Sequence, residues 1–117
     1  MSKPYTTKDS GKRIDFESGM RRDTHEGKPD FTLLLPDVPY NEQMLTRFAG
    51  LMSRGADKYG RRNWQLANSE EEVERFRSSA FRHFMQWISG ETDEDHAAAV
   101  YFNIMACEAT KYKIRKK

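Results

Sequence analysis

Apolar residues recur at helical spacing from residue 41 onward, and the first of three such segments covers residues 41–57. Its apolar positions follow one another at intervals of three and four, at Leu45, Phe48, Met52 and Ala56. Asn41 stands at the start, and Asn is among the residues preferred as a helix N-cap. The pattern predicts a first helix over 41–57 that leads into a loop bracketed by Gly55 and Gly60.

The second periodic segment starts with a capping-box signature. Ser69 precedes Glu72 by three residues, and the acidic residues of this first turn suit the positive end of a helix dipole. The apolar stripe that follows has His83 on the same face and consists of Val73, Phe76, Ala80, Phe84 and Trp87. We therefore predict a second helix that starts at residue 68 or 69 and ends at Gly90.

A third helix is predicted from about Asp93 to about Ile114, and the short turn before it makes an antiparallel helical hairpin. Folding the chain about this turn places Trp87 opposite His96 and His83 opposite Val100, within a residue or two. The hairpin would then carry a strip of polar side chains, formed by His83, Glu91, Asp95, His96 and Asn103.

The four prolines all lie in the first forty residues, which differ in character from the rest. Residues 1–40 are expected to form an irregular N-terminal arm, in which the apolar run 31–35 is an extended strap packed on the helices. Residues 41–117 are expected to form one helical domain. The fold class is thus all-α, with three main helices after a proline-containing arm and a helical hairpin as the core.

The chain has 117 residues, of which 37% are hydrophobic, so apolar material for a self-sufficient core is scarce. Burial of helix faces between identical subunits would relieve this shortage, and we expect a homodimer or a homotetramer with an oligomeric helical bundle. No apolar run has the length of a membrane span, and no signal segment opens the chain. The single cysteine, Cys107, fits a reducing compartment and therefore the cytoplasm.

Five of the last seven residues are Lys or Arg. Removing these charges from the net charge of +2 leaves −3 for residues 1–110. A solubilising tail that favours the negative end of the last helix explains this cluster. A phosphate contact is the alternative. Because no aromatic-rich basic face accompanies the tail, the sequence does not point to a nucleic-acid partner.

Two stretches carry most of the candidate chemistry. Residues 55–64, GADKYGRRNW, combine cations, amides and aromatic rings around a tight turn, and Lys58, Asn63 and Trp64 are candidates for binding an anionic ligand with a flat ring. In the second stretch, residues 82–103, we expect Arg82, His83 and Asn103 to bind the same ligand. Simpler explanations stay open for each stretch, namely a solvated loop, a core histidine and tryptophan, and carboxylates such as Asp93 and Asp95 that cap a helix.

The stretch 55–64 resembles the GAxKYGxxNW segment of a family of small phage proteins, the dATP/dGTP diphosphohydrolases. The pattern RHxxxW, GE, DEDH and N, from Arg82 to Asn103, is similar to the second block of that family. Residues 18–23 and 27–28 resemble its looser opening motif. The family is grouped with all-α nucleotide pyrophosphohydrolases similar to MazG and the dimeric dUTPases, which implies an oligomeric helical fold and cytoplasmic action in an infected bacterial host.

The resemblance implies cleavage between the α- and β-phosphates of a purine nucleotide, with Mg²⁺ or Mn²⁺ as cofactor. Glu71 and Glu74 match the spacing of one MazG carboxylate pair but belong to the opening turn of the second helix, far from the hairpin turn. We therefore predict Glu91 and Asp95 as metal ligands and catalytic carboxylates, with His96 as a third catalytic residue. Glu71 and Glu74 of a neighbouring subunit are the next candidates.

Two functions remain open at this point. One is a pyrophosphohydrolase that converts a purine dNTP to the monophosphate and pyrophosphate. The other is a non-catalytic protein that keeps the nucleotide pocket and sequesters a nucleotide or a nucleotide-derived signal. Turnover of dNTPs in the presence of Mg²⁺ or Mn²⁺ would distinguish them.

Overall fold

A computed structural model describes residues 5–24 and 26–116 of the chain. The chain forms two compact units, Met1–Pro36 and Asp37–Lys117. Within the described residues, the α-helices lie in the second unit: α1 (Met44–Tyr59), α2 (Glu70–Ile88) and α3 (His96–Arg115). The predicted fold class is confirmed, because the described residues are mostly helical with three main helices. None of these helices has the length and apolar content that crossing a membrane requires.

The first unit contains a small antiparallel hairpin that the sequence pattern did not predict. Strands β1 (Arg13–Asp15) and β2 (Arg21–Asp23) are three residues long, which is too short to show an alternating apolar pattern. Their register is held by cross-strand ion pairs, with 2.9 Å between Arg13 and Asp23 and 2.7 Å between Arg21 and Asp15. The arm is therefore less irregular than expected.

The apolar run at 31–35 is not the extended strap that we predicted. Phe31–Leu34 forms a 3-10 helix, and the carboxylate of Asp30 accepts a hydrogen bond from the backbone N–H of Thr32 at 3.0 Å. Asp in this position offers the backbone an acceptor close by, which favours a turn over an extended chain. The local capping interaction thus outweighs the tendency of the apolar run to extend.

Helix α1 starts later than predicted, because residues Tyr40–Glu42 form a separate 3-10 helix. Asn41 lies inside that turn and does not cap α1. The N-cap is Gln43, which makes no side-chain capping hydrogen bond. Helix α1 continues to Tyr59 and contains Gly55, so only Gly60 of the two predicted glycines lies at its exit. The φ of Gly60, 91°, lies in the left-handed region that only glycine adopts without strain.

The capping box at the start of α2 is confirmed. The hydroxyl of Ser69 accepts from the backbone N–H of Glu72 at 3.3 Å, and the carboxylate of Glu72 accepts from the Ser69 hydroxyl at 2.7 Å and from the backbone N–H of Asn68 at 2.9 Å. These hydrogen bonds lower the pKa of Glu72, with the bond from Asn68 contributing most.

We expect Ser69→Ala to lower the free energy of unfolding by about 1 kcal/mol, the usual cost of losing an N-cap hydroxyl. Denaturant unfolding followed by circular dichroism measures this value. Ser78→Ala, an exposed position inside the same helix, serves as the control and should be neutral or slightly stabilising. Equal losses in the two variants would contradict the capping role.

Helices α2 and α3 form the predicted hairpin, but their register differs from the prediction. His83 lies next to His96, with their Nδ1 atoms 2.9 Å apart, and the Cys107 thiol lies 3.9 Å from the carbonyl oxygen of Val73. Trp87 is therefore not the residue opposite His96. The turn between α2 and α3 takes up residues 89–95, and this longer connection shifts the pairing by about one helical turn.

The core between the helices is made of small side chains. The buried apolar residues of the described chain are Ala67, Val73, Ala98, Ala99, Ala106 and Cys107. The α2 stripe is only partly buried, since Phe84 and Trp87 are 41% and 54% exposed. Small residues on α3 let the α2 backbone approach closely, but they leave most of the large apolar side chains on the surface.

Candidate metal centre and nucleotide groove

Three potential metal ligands meet at the turn between α2 and α3. One carboxylate oxygen each from Glu91 and Asp93 and one ring nitrogen of His96 lie within 4.8 Å of one another. Asp95 caps α3 by accepting from the backbone N–H of Ala98 at 3.1 Å. Helix α3 therefore begins at His96, directly after the loop that holds both carboxylates.

Both ring nitrogens of His96 have partners. Nε2 lies 2.7 Å from an oxygen of Asp93, and Nδ1 lies 2.9 Å from Nδ1 of His83. The hydrogen bond from His96 lowers the pKa of Asp93, so this carboxylate is ionised at neutral pH. Burial lowers the pKa of His83, and the positive charge of Arg82 lowers it further. His83 is therefore neutral under the same conditions.

A second chain of hydrogen bonds links Arg82 to the carboxylate of Glu91. The Arg82 guanidinium donates to the side-chain oxygen of Gln86 at 3.2 Å, and the Gln86 amide donates to Glu91 at 3.2 Å. Arg82 also lies 3.5 Å from Nε2 of His83. An exposed cation thus stands beside the three candidate ligands, where it could contact a phosphate.

Asp95, which we predicted as a metal ligand, is not part of this group. Its two carboxylate oxygens accept from the Arg47 guanidinium at 2.9 and 2.7 Å, a bidentate pair that connects α1 to the start of α3. The Arg47 charge and hydrogen bonds lower the pKa of Asp95. Asp93 occupies the position in the cluster that the sequence analysis gave to Asp95.

The residues at the turn fit a divalent metal ion. Carboxylate oxygens suit Mg²⁺ and Mn²⁺, and the imidazole nitrogen favours Mn²⁺ or Zn²⁺ over Mg²⁺. The cluster supplies two carboxylates and one imidazole, and both carboxylates are exposed, which leaves room for substrate oxygens and water. The ligands expected from the MazG pattern lie elsewhere: Glu71 and Glu74 are exposed near the start of α2, and Glu74 pairs with Arg77 at 2.7 Å.

The other predicted binding stretch forms a groove of about 1180 Å³ between α1, α2 and α3. Asn63 and Trp64 line it, as the first residues of a 3-10 helix, Asn63–Leu66. The further lining includes Tyr59, Arg61, Arg62, Glu72, Phe76 and Phe102. Trp64 packs edge-to-face on Phe102, with 6.0 Å between the ring centroids. Lys58 is exposed, lies over the Tyr59 ring, and is not among the lining residues.

The wall of the groove is joined to α3 by the partly buried amine of Lys113. Lys113 donates to the backbone carbonyl of Gln65 and, at 3.5 Å, to that of Ala67. Arg62 adopts the left-handed conformation, with φ of 65°, just before the 3-10 helix, and this sharp bend turns Asn63 and Trp64 into the groove. Lys113, which belongs to the basic tail, therefore has a structural role that the composition did not indicate.

The structure does not join the two stretches into a single pocket. His83 contacts His96 of the metal cluster and does not line the groove. Asn103 is buried, and its amide donates to the Ala99 carbonyl at 2.8 Å. His96 and Phe102 are about 9 Å apart along the axis of α3, from the helical rise. The groove and the cluster are therefore neighbouring but separate places.

The sequence analysis did not assign Asp93 to the cluster, and it did not name the nearby residues Gln86 and Arg47. Asp93 stands three residues before His96, a spacing that brings side chains together near a helix start and could have indicated it. Gln86 stands four residues after Arg82, which is also a local signal. Arg47 lies 48 residues from Asp95 and has no local signal at all.

The fold and the site describe a small all-α protein. It has a candidate metal centre at the turn of a helical hairpin, with an arginine beside it. This chain belongs to the dATP/dGTP diphosphohydrolase family, because the family model described as "dATP/dGTP diphosphohydrolase, N-terminal" matches residues 18–117. The predicted resemblance is confirmed. No curated protein and no solved structure matched the chain.

Proposed function

We propose that this protein hydrolyses purine deoxynucleoside triphosphates to the monophosphate and pyrophosphate, with a divalent metal ion held at the hairpin turn. The observation that carries the proposal is the meeting of Glu91, Asp93 and His96 within 4.8 Å, in a chain that matches the diphosphohydrolase family over residues 18–117. The proposed cofactor is Mn²⁺ or Mg²⁺.

The residues at the turn have different proposed roles in the reaction. Glu91, Asp93 and His96 would hold the ion, which when bound polarises phosphoryl oxygens and orients a water. Arg82 is exposed beside them and would neutralise the charge that builds on the phosphates.

The groove is suited to the nucleoside part of the substrate. Trp64 offers a ring for stacking, and Asn63 offers an amide that both donates and accepts hydrogen bonds at a base edge. The exposed cations Arg61 and Arg62 lie at the same groove. Because His96 of the cluster and Phe102 of the groove lie about 9 Å apart along the axis of α3, we place the base in the groove and the phosphates at the turn.

Asn63→Ala is expected to weaken purine nucleotide binding by about 2- to 10-fold, the value of one hydrogen bond between neutral groups. Lys58→Ala, in the last turn of α1 and outside the groove lining, should change the dissociation constant less. Calorimetric titration with a non-hydrolysable dGTP analogue measures both. If Lys58→Ala has the larger effect, the base or the phosphates bind on the other side of the loop.

We also propose that the protein acts as a homodimer or homotetramer in the cytoplasm of an infected bacterium. Large apolar side chains of α2 and α3 are about half exposed or more, among them Phe81, Met85, Ile88, Tyr101 and Ile104. Exposed apolar area of this kind on packed helices favours association of identical subunits. Light scattering at micromolar concentration tests the assembly, and a monomer would contradict it.

One experiment tests the activity. The purified protein is incubated with each dNTP and Mg²⁺ or Mn²⁺, and the products are separated by chromatography. Release of pyrophosphate and monophosphate from dATP or dGTP supports the proposal. Tight nucleotide binding without turnover would instead support the non-catalytic function, in which the protein sequesters a nucleotide or nucleotide-derived signal.

A further inference from the structure

Four side chains form a continuous hydrogen-bonded row at the hairpin turn. Arg82 lies 3.5 Å from Nε2 of His83, the two histidines meet through their Nδ1 atoms at 2.9 Å, and Nε2 of His96 lies 2.7 Å from Asp93. His83 and His96 are buried, whereas Arg82 and Asp93 at the two ends are exposed. The Nδ1 atoms of the two histidines thus face each other inside the protein. If both carried a proton, one buried N–H would lack an acceptor, which would cost free energy.

When both imidazoles are neutral, only one assignment of donors and acceptors satisfies every hydrogen bond in the row. A guanidinium only donates and a carboxylate only accepts. His83 therefore accepts from Arg82 at Nε2 and donates from Nδ1, and His96 accepts at Nδ1 and donates from Nε2 to Asp93. Each neutral ring carries one proton, and each of the three contacts has one donor and one acceptor.

This assignment conflicts with metal binding at His96. The nitrogen of His96 that faces the cluster is Nε2, and it needs a free lone pair to bind an ion. If Nδ1 of His96 went on accepting from His83, the His96 ring would have to lose its only proton. The lower-cost alternative is that Nδ1 of His96 takes over the proton and donates, which requires Nδ1 of His83 to accept.

We propose that His83 is a positioning residue that sets the tautomer of His96, and that metal binding at His96 reverses the row and frees Arg82 for a phosphate. The inference rests on the metal role of the cluster. The proton on Nδ1 of His83 passes to Nδ1 of His96 along their hydrogen bond, the Nε2 proton of His96 leaves to solvent, and Nε2 of His83 takes one proton from solvent. The number of bound protons does not change.

The reversal links the metal to the substrate. Once Nε2 of His83 carries a proton, it no longer accepts from Arg82, so a guanidinium N–H is released beside the metal cluster. Arg82 is exposed in both states, but it would have one more N–H donor for a phosphate when the ion is in place. The structure thus assigns to the histidine pair a coupling role, in which metal binding favours phosphate contact.

Nitrogen-15 NMR of histidine-labelled protein tests the tautomers directly, with diamagnetic Zn²⁺ as the metal. We expect His83 to be protonated at Nδ1 and His96 at Nε2 without metal, and the reverse assignment for both rings at saturating Zn²⁺. If the His96 Nε2 proton persists at saturation, or if His83 keeps its Nδ1 proton, the proposal is overturned. This measurement uses the wild-type chain and does not depend on any variant folding.

Variants at position 83 supply a second readout, the dissociation constant for Zn²⁺ from calorimetry. His83→Leu removes the acceptor and should weaken Zn²⁺ binding by about 10- to 100-fold, the usual effect of losing an outer-shell partner. His83→Asn places a carbonyl oxygen near the position of Nδ1 and should restore most of the affinity. Arg75→Met, an exposed position on the same helix, is the control. Equal affinities of wild type and His83→Leu would overturn the proposal.

The two proposals can fail independently. Turnover of dNTPs without a change of tautomer would sink the positioning role of His83 and leave the enzymatic function standing. A tautomer reversal with Zn²⁺ but no turnover with any dNTP and metal would do the opposite. Inorganic pyrophosphate supplies a further check, because it should bind the Zn²⁺-loaded protein more tightly than the metal-free protein, and this gain should shrink in Arg82→Met.

Discussion

Replacing Asp93 by Asn is expected to lower metal-dependent turnover of dATP or dGTP by at least about 100-fold, since even outer-shell partners of a metal contribute 10- to 100-fold. The substitution keeps the shape of the side chain and removes the charge that would hold the ion. Asp93 is exposed and does not cap α3, so the melting temperature should change little. Initial rates of pyrophosphate release and thermal unfolding measure the two effects.

Glu91→Gln should behave in the same way, because its carboxylate lies in the same cluster. The matched control is Glu94→Gln, which alters an exposed carboxylate in the same turn but outside the group of candidate ligands. Full activity in both Asp93→Asn and Glu91→Gln would place the metal elsewhere, and Glu71 and Glu74 of a neighbouring subunit would be examined next. Equal losses in all three variants would indicate an effect of net charge alone.

Arg47→Met is expected to lower the free energy of unfolding by about 2 kcal/mol at neutral pH, in the range for hydrogen bonds to charged groups. It leaves the carboxylate of Asp95, which is 21% exposed, without its bidentate partner. The same carboxylate caps α3, so the start of that helix loses support as well. Denaturant unfolding measures the loss, and Lys58→Met on the exposed end of α1 serves as the control.

The effect of Arg47→Met should depend on pH in a defined direction. Arg47 holds the pKa of Asp95 below its ordinary value, so the folded state binds this proton less readily than the unfolded state. Stability from the pair is therefore fully present above the unfolded pKa of about 4 and is lost as the pH falls through the lower folded pKa. The difference between wild type and variant should shrink over that acidic range. A constant difference would show that lost packing, and not the ion pair, causes the destabilisation.

The helices were predictable because their signals are local. Ser69 and Glu72 lie within one turn of each other and form the capping box that their spacing indicated. Gly60 ends α1 where the loop needs a positive φ. The prediction failed where a competing local interaction had been overlooked. Asp30 turns the chain into a 3-10 helix, and the three-residue strands are held by ion pairs rather than by an apolar face.

The sequence predicted where in the chain the candidate site lies, but not which residues the structure brings together there. Glu91 and His96 were named from the turn between two periodic segments, and the structure places both in the cluster. Spacing does not distinguish Asp95 from Asp93, because both carboxylates lie within three residues of His96. Only the position of Arg47 decides between them, since it engages Asp95 and leaves Asp93 beside the imidazole.

The sequence alone determined the three main helices, their order and the family, because these depend on periodicity, capping residues and motifs of neighbouring residues. The tertiary structure decided the register of the α2–α3 hairpin, which joins His83 to His96, and the pairing of Arg47 with Asp95 across 48 residues. It also separated the groove of Asn63 and Trp64 from the metal cluster. Contacts of this kind depend on how whole helices pack, and the free energy of that packing is shared among side chains far apart in the chain.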